Sequence, residues 1–195
     1  MKSIKKLFFF ACFLLASYTS LLAQNSKVKT KPAKFLITGA LELGGDEIAE
    51  VYFTNGERQG VRAGQGGSVG FGGQFQISGA EKFLLRSTVG IKYVTTAADN
   101  VHIRLTRIPI VLSGNYMATT KLRISAGLSM HRNIQFNTGG LGGDAKFKAA
   151  SGPIFEIAYT GIGLSYTAMK YKDESNHSYS ANAIGLTFSI ALPRK

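Results

Sequence analysis

Residues 121–131 read KLRISAGLSMH. Leu122, Ile124, Ala126, Leu128 and Met130 fall on one side of an extended chain, and Lys121, Arg123, Ser125, Gly127, Ser129 and His131 fall on the other. A period of two marks a strand whose faces meet different surroundings. A solvated face would carry mostly Lys and Glu. Small residues are common here instead, and they suit the cramped interior of a narrow barrel.

The rhythm recurs along the chain. Runs at 35–44, 66–78, 82–95, 101–117, 121–131, 152–160, 161–172 and 180–192 alternate apolar with small or polar residues. In 66–78, for example, Val69, Phe71, Phe75 and Ile77 oppose Ser68, Gly70, Gly72, Gln74 and Gln76. The run 101–117 changes phase, with Val101, Ile103 and Leu105 in one register and Ile108, Ile110, Leu112 and Tyr116 in the other. A β-bulge near Thr106 and Arg107 would reconcile them. Tight connectors (79–81, 119–120, 160–161) alternate with longer, more polar ones (45–65, 96–100, 132–151, 173–179), the rhythm of short periplasmic turns and external loops. Phe35, Phe75, Phe83, Tyr116 and Tyr159 all fall at the turn-side ends of their strands, as an interfacial girdle would. In lipid an open sheet edge leaves backbone groups unpaired, so the sheet must close. These features predict an all-β fold, an eight-stranded antiparallel up-and-down transmembrane β-barrel. Eight strands fill their interior with side chains, so no open pore is expected. Glu42 and Glu156 should meet Arg86, Arg107 and Arg123 in a buried polar core.

The chain of 195 residues is 45% hydrophobic, with 23 glycines, 4 prolines and no tryptophan. Its mean hydropathy of +0.06 excludes a protein of several helical spans. Lys2, Lys5 and Lys6 precede the apolar run Leu7 to Ala16, and Ala23-Gln24 is a plausible cleavage point. Residues 1–23 are therefore expected to be a cleaved signal peptide, 24–33 a periplasmic leader, and 34–195 the barrel. Removing the signal takes the net charge from +12 to +9 and removes Cys12, the only cysteine. Disulfide and thiol chemistry are then excluded. For an exported chain the counter-charge is anionic lipid rather than nucleic acid.

The first long connector has structure of its own. Val51 to Thr54 and Gln59 to Arg62 flank Asn55-Gly56, a strong hairpin signal. A hairpin projecting from the outer rim is expected; the alternative is two further membrane strands.

The stretch Arg107-Ile108-Pro109-Ile110-Val111-Leu112 resembles the short strand motif of small outer-membrane β-barrel domain proteins common in Bacteroidota. The segment from Gly44-Gly45-Asp46 through Val51-Tyr52-Phe53-Thr54-Asn55-Gly56 to Ala63-Gly64-Gln65-Gly66 resembles a second feature of such barrels. With the strand rhythm, the resemblance covers nearly the whole mature chain. It implies fold and outer-membrane location and transfers no catalytic residue. Such barrels usually finish on an aromatic residue that assists assembly. This chain ends Leu192-Pro193-Arg194-Lys195, with Phe188 four residues before Leu192.

Candidate chemistry is sparse. His102, His131 and His177 fall near the outer rim. Ser129, His131 and Glu156 would be the members of an acyl-transfer set if they met. Asp46, Glu47, Glu50, Asp99, Asp144, Asp173 and Glu174 lie in outer loops without Ca²⁺-loop spacing, so solvated charge is the expectation. Arg132, Lys146, Lys148, Lys170 and Lys172 could contact lipid phosphates. Gly139-Gly140-Leu141-Gly142-Gly143 is followed by no Lys-Ser/Thr and reads as a loop tip. The expectation is a non-enzymatic, monomeric outer-membrane protein with no catalytic, cofactor or metal residues. Its partners would be outer-membrane lipids and lipopolysaccharide, with an extracellular partner at the loops and no nucleic acid. The alternatives are a lipid-modifying enzyme and a soluble periplasmic barrel with an apolar ligand inside.

Overall fold

The computed structural model describes residues 33–52, 58–98, 101–140 and 143–193. The expected signal peptide, nearly all of the leader, Asn55-Gly56, Asp99 and the terminal Arg194-Lys195 lie outside them. Along the chain the strands are β1 (Lys34–Leu43), β2 (Glu47–Tyr52), β3 (Arg58–Arg62), β4 (Gly66–Gln76), β5 (Phe83–Ala98), β6 (Val101–Met117) and β7 (Leu122–Asn137). There follow β8 (Ala145–Phe147), β9 (Ala150–Tyr159), β10 (Ile162–Thr167), β11 (Lys170–Lys172), β12 (Ser178–Ser180) and β13 (Ala183–Leu192).

Eight of them form one antiparallel sheet in the order β6-β5-β4-β1-β13-β10-β9-β7, and β6 pairs with β7 to close it. The closed eight-stranded barrel is thus realised, with neighbours in chain order and β1 sealed against β13 from Phe35↔Leu192 to Leu43↔Ile184. β8 adds to the outer end of β7, and its Phe147 bridges to Asp173. β2 and β3 pair with each other alone, so the first long connector holds a separate hairpin and not two more barrel strands.

Short turns close one end. At Thr119 the side-chain hydroxyl accepts the Lys121 and Leu122 N–H groups at 3.2 and 2.9 Å. Thr160 (φ 51°) and Gly161 (φ 99°) form a two-residue turn with both residues left-handed.

Strand boundaries depart most from the sequence expectation in three runs. β7 runs to Asn137 rather than 131. The runs 161–172 and 180–192 are each interrupted, giving β10 with β11 and β12 with β13. The interruption has a local cause: Asn182 Oδ1 accepts the Met169 N–H at 2.9 Å, in place of ladder pairing.

The bulge lies at the expected level but on the partner strand. The register does shift between Thr106 and Ile108, but the extra residue is on β7, where Asn133 adopts φ 48°. β6 keeps one phase throughout: Ile103, Leu105, Arg107 and Asn115 are all buried, and Arg104, Ile108, Leu112 and Tyr116 are exposed. What inverts along β6 is its surroundings. Near the short turns its inward residues are Asn115 and Ser113 and its outward ones Tyr116 and Leu112. Towards the far end the inward ones are Leu105 and Ile103, and Arg104 faces out.

The inversion occurs at one level around the wall. Outward-facing Leu128 gives way to Arg132 on β7, Tyr166 to Lys170 along β10 and β11, and Ile184 to Asn182 at β13. Inward, Ser165 and Thr167 give way to Met169 and Tyr171, and Lys92 to Val94. Below this level, among the described residues, 28 large apolar side chains stand exposed, almost all on the outer face of the barrel strands, Leu43 at 70% and Leu128 at 55% among them. Above it Val61, Ala63, Ile103, Leu105, Ile134, Phe136, Met169, Tyr171 and Ala181 form a dry core like that of a water-soluble protein.

Candidate functional site

Inside the barrel the polar face is organised in two tiers. In the tier nearer the short turns, Arg123 Nη2 pairs with Glu156 Oε1 at 2.7 Å. The same carboxylate oxygen accepts the Thr187 hydroxyl at 2.7 Å. Arg86 and Arg123 both donate to Ser189 Oγ, at 3.3 and 3.2 Å, and Arg86 Nε donates to Gln74 Oε1 at 2.9 Å. Ser125 donates to Asn115 Oδ1 at 2.7 Å and completes the set.

In the second tier Lys92, 1% exposed, pairs with Glu42 Oε2 at 2.8 Å. It also donates to the Gly64 carbonyl at 2.7 Å. Arg107, fully buried, donates to the carbonyls of Ala63 and Gln65 and to the Tyr171 hydroxyl. Tyr171 in turn meets His131 Nδ1. Three successive carbonyls of the Ala63-Gly64-Gln65 turn thus point into the barrel mouth and are held by two cations from the wall.

The Gly44-Gly45-Asp46 turn supplies the other half of this closure. The Asp46 carboxylate accepts the Ser180 N–H at 2.6 Å, and the Asp46 N–H donates to the Ser180 carbonyl at 2.7 Å. The Ala63 N–H reaches the Asp46 carbonyl at 2.9 Å. A Cβ on Gly45 would lie 2.6 Å from Gly64 N, and one on Gly64 would lie 2.5 Å from the Asn182 carbonyl oxygen. Only glycine allows the base of the hairpin to cross so close to the start of β13. Both motif segments are therefore pieces of one plug.

Between the tiers lies a cavity of about 120 Å³, lined in part by Thr38, Glu42, Thr88, Ser129, His131 and Glu156. That is room for several waters. The expected polar core is present with different pairings. Arg123 meets Glu156 as expected. Arg107 serves carbonyls and a phenol instead of a carboxylate, and Glu42 takes Lys92. Tyr171 was not anticipated, although its signal was available: in 161–172 the apolar residues change face between Tyr166 and Met169.

The acyl-transfer set does not assemble. Ser129 and His131 lie two residues apart on one face of β7, about 6.6 Å along an extended chain, and His131 Nδ1 is taken by Tyr171. Glu156 is committed to Arg123 and Thr187, and all three residues face the lumen rather than the apolar exterior. Pro109, from the strand motif, lines the cavity wall beside its ladder partner His131. It interrupts the β5–β6 ladder between Val89↔Ile110 and Lys92↔Arg107, where it has no N–H to give.

The loop carboxylates are dispersed. Glu50 pairs with Arg58 at 3.2 Å, Asp173 with His177 at 3.1 Å, and Asp144 accepts the Thr138 N–H at 3.0 Å. Among the described residues no three His, Cys, Asp or Glu side chains converge as a metal site would. Exposed Arg104, Arg132, Lys146, Lys148, Lys170 and Lys172 stand on the outer surface just above the apolar band.

No protein-family model matches the chain, and no curated protein matches its sequence. Two solved structures of Ail, the attachment invasion locus protein of Yersinia pestis, are similar to it. The one in complex with the heparin analogue sucrose octasulfate has TM-score 0.43 and 7% identity. The other has TM-score 0.40 and 5% identity, and each match covers 81% of this chain and 97% of Ail.

Proposed function

We propose that this chain is a non-enzymatic outer-membrane protein whose barrel is a closed membrane anchor and whose outer cap is the working surface. The observation that carries this is the inversion of polarity at one level of the wall. Below it the outside is apolar and the inside polar, as in lipid. Above it the outside is charged and the inside dry, as in water. A water-soluble barrel would expose an apolar band far larger than monomeric soluble proteins tolerate. The soluble-barrel alternative also needed its apolar faces inward, and they face out.

The two tiers favour an anchor over a pore, because paired charges and the hairpin base obstruct the lumen at two levels. The export signal at 1–23 and membership of the small outer-membrane barrel proteins are parts of the same proposal, resting on the residues quoted above. The experiment is electrophoresis of outer membranes with and without boiling, after carbonate extraction. A pellet-associated protein whose mobility shifts on boiling is expected. Recovery in the soluble periplasm with no shift would reject the proposal.

A further inference from the structure

The exposed cations of the barrel wall gather on one side of the outer rim, and this asymmetry, taken with the outer-membrane reading on which it rests, points to a particular ligand. On β7, Arg132 is the first outward charge after Leu128 and Met130, and it lies across from Ile108, the outward-facing apolar residue of β6 nearest the rim. Lys146 on β8 pairs with outward-facing Gln135, which itself pairs with Thr106. Arg104 lies across from Asn137 on the same ladder.

The next strands continue the pattern. Met130 lies across from Ser151 on β9, and the Ala168 N–H donates to Pro153 at 3.0 Å, which brings Lys170 beside Ser151. All four cations are exposed, and none has an ion pair among the described residues.

The opposite side differs. At its outer end β5 presents Tyr93 and Thr95, β1 presents Leu43, and β13 presents Asn182. The β2–β3 hairpin above them balances Arg58 and Arg62 with Asp46, Glu47 and Glu50. A barrel relying on general attraction to an anionic surface would gain by spreading cations around the whole rim. This one gathers them over β6, β7, β8 and β11, at the height where the apolar band ends and headgroups begin.

The geometry points to a binding site in this sector for the phosphorylated headgroup of one lipopolysaccharide molecule, its acyl chains lying against Ile108, Leu128 and Phe155. Arg132 and Lys170 sit nearest the acyl boundary and would meet the glucosamine phosphates. Lys146 and Arg104, higher on the wall, would meet charge further out on the sugar. Arginine gives a bidentate match to phosphate that a diffuse charge does not.

The test uses the folded protein extracted from membranes in neutral detergent, with bound lipid counted by native mass spectrometry. The probes are bisphosphorylated lipid A, dephosphorylated lipid A and phosphatidylglycerol. Bisphosphorylated lipid A should be held at least tenfold more tightly than the other two. Arg132→Ala with Lys170→Ala should lose at least tenfold of that affinity. Arg58→Ala with Arg62→Ala, on the hairpin, should change it less than twofold. Lys146→Ala alone reads the same sector if the double variant does not fold.

Equal loss from both pairs, no loss from either, or phosphatidylglycerol held as tightly as bisphosphorylated lipid A would overturn the site. The outer-membrane reading would survive that result as long as the protein still shifted on boiling. Loss of the shift in the unmodified protein would instead remove the reading beneath it.

Discussion

At the barrel mouth Lys92 serves two acceptors at once, the Glu42 carboxylate and the Gly64 carbonyl. Its stability contribution is conditional on the partner. Lys92→Met strands a carboxylate only 12% exposed and should cost about 3–5 kcal/mol. The pair Lys92→Met with Glu42→Leu removes both charges and should recover most of that loss, leaving about 1–3 kcal/mol for the Gly64 carbonyl that Lys92 no longer serves. Urea unfolding of the refolded barrel measures the cycle, and a neutral single variant would show that the pair is not buried in the folded protein. Gly45 is a second position with one tolerated residue. Its φ is 82°, and an added Cβ would meet both Gly64 N and the Ser180 carbonyl. Gly45→Ala should loosen the plug by about 1–3 kcal/mol without opening the barrel. Trypsin should then cut faster at Arg58 and Arg62, with the mobility shift on boiling preserved.

Among the connecting elements the β9–β10 turn carries a β-branched residue where the geometry disfavours one. Thr160 and Gly161 both have positive φ, a type of turn that prefers Asn-Gly. Thr160→Asn should stabilise the barrel by about 1 kcal/mol, read as a higher urea midpoint; an unchanged or lower midpoint would contradict the left-handed turn. The strands themselves were legible because lipid and lumen impose opposite demands on alternate residues. Fourth-run boundaries 101–117 match β6 at both ends, since the alternation there persists to each turn. The bulge lies on the partner strand rather than on β6 for a physical reason. A phase break in apolar residues arises either when a strand gains a residue or when its surroundings exchange polarity, and a one-dimensional pattern cannot separate the two. On β6 the surroundings exchange. The real bulge at Asn133 on β7 was hidden because Arg132-Asn133 also reads as the start of a loop.

For the whole molecule, the same alternation that predicts a barrel also predicts which side faces lipid, so architecture and topology were readable together. The cap core was not. Its members, such as Val61, Phe136 and Tyr171, come from segments assigned to loops or strand ends, and only closure of the barrel brings them over the lumen. The pairing of each cation was likewise unreadable, because Lys92, Arg107 and Arg123 all face inward and only strand stagger sets which carboxylate each can reach. The most direct test of the inversion is labelling of single cysteines along β7 in intact outer membranes, in a Cys12→Ala background, with a membrane-impermeant maleimide. Leu128→Cys should stay unreactive while Arg132→Cys, four residues on along the same outer face, labels readily. Equal labelling of the two would contradict a lipid boundary between them and with it the membrane-anchored barrel.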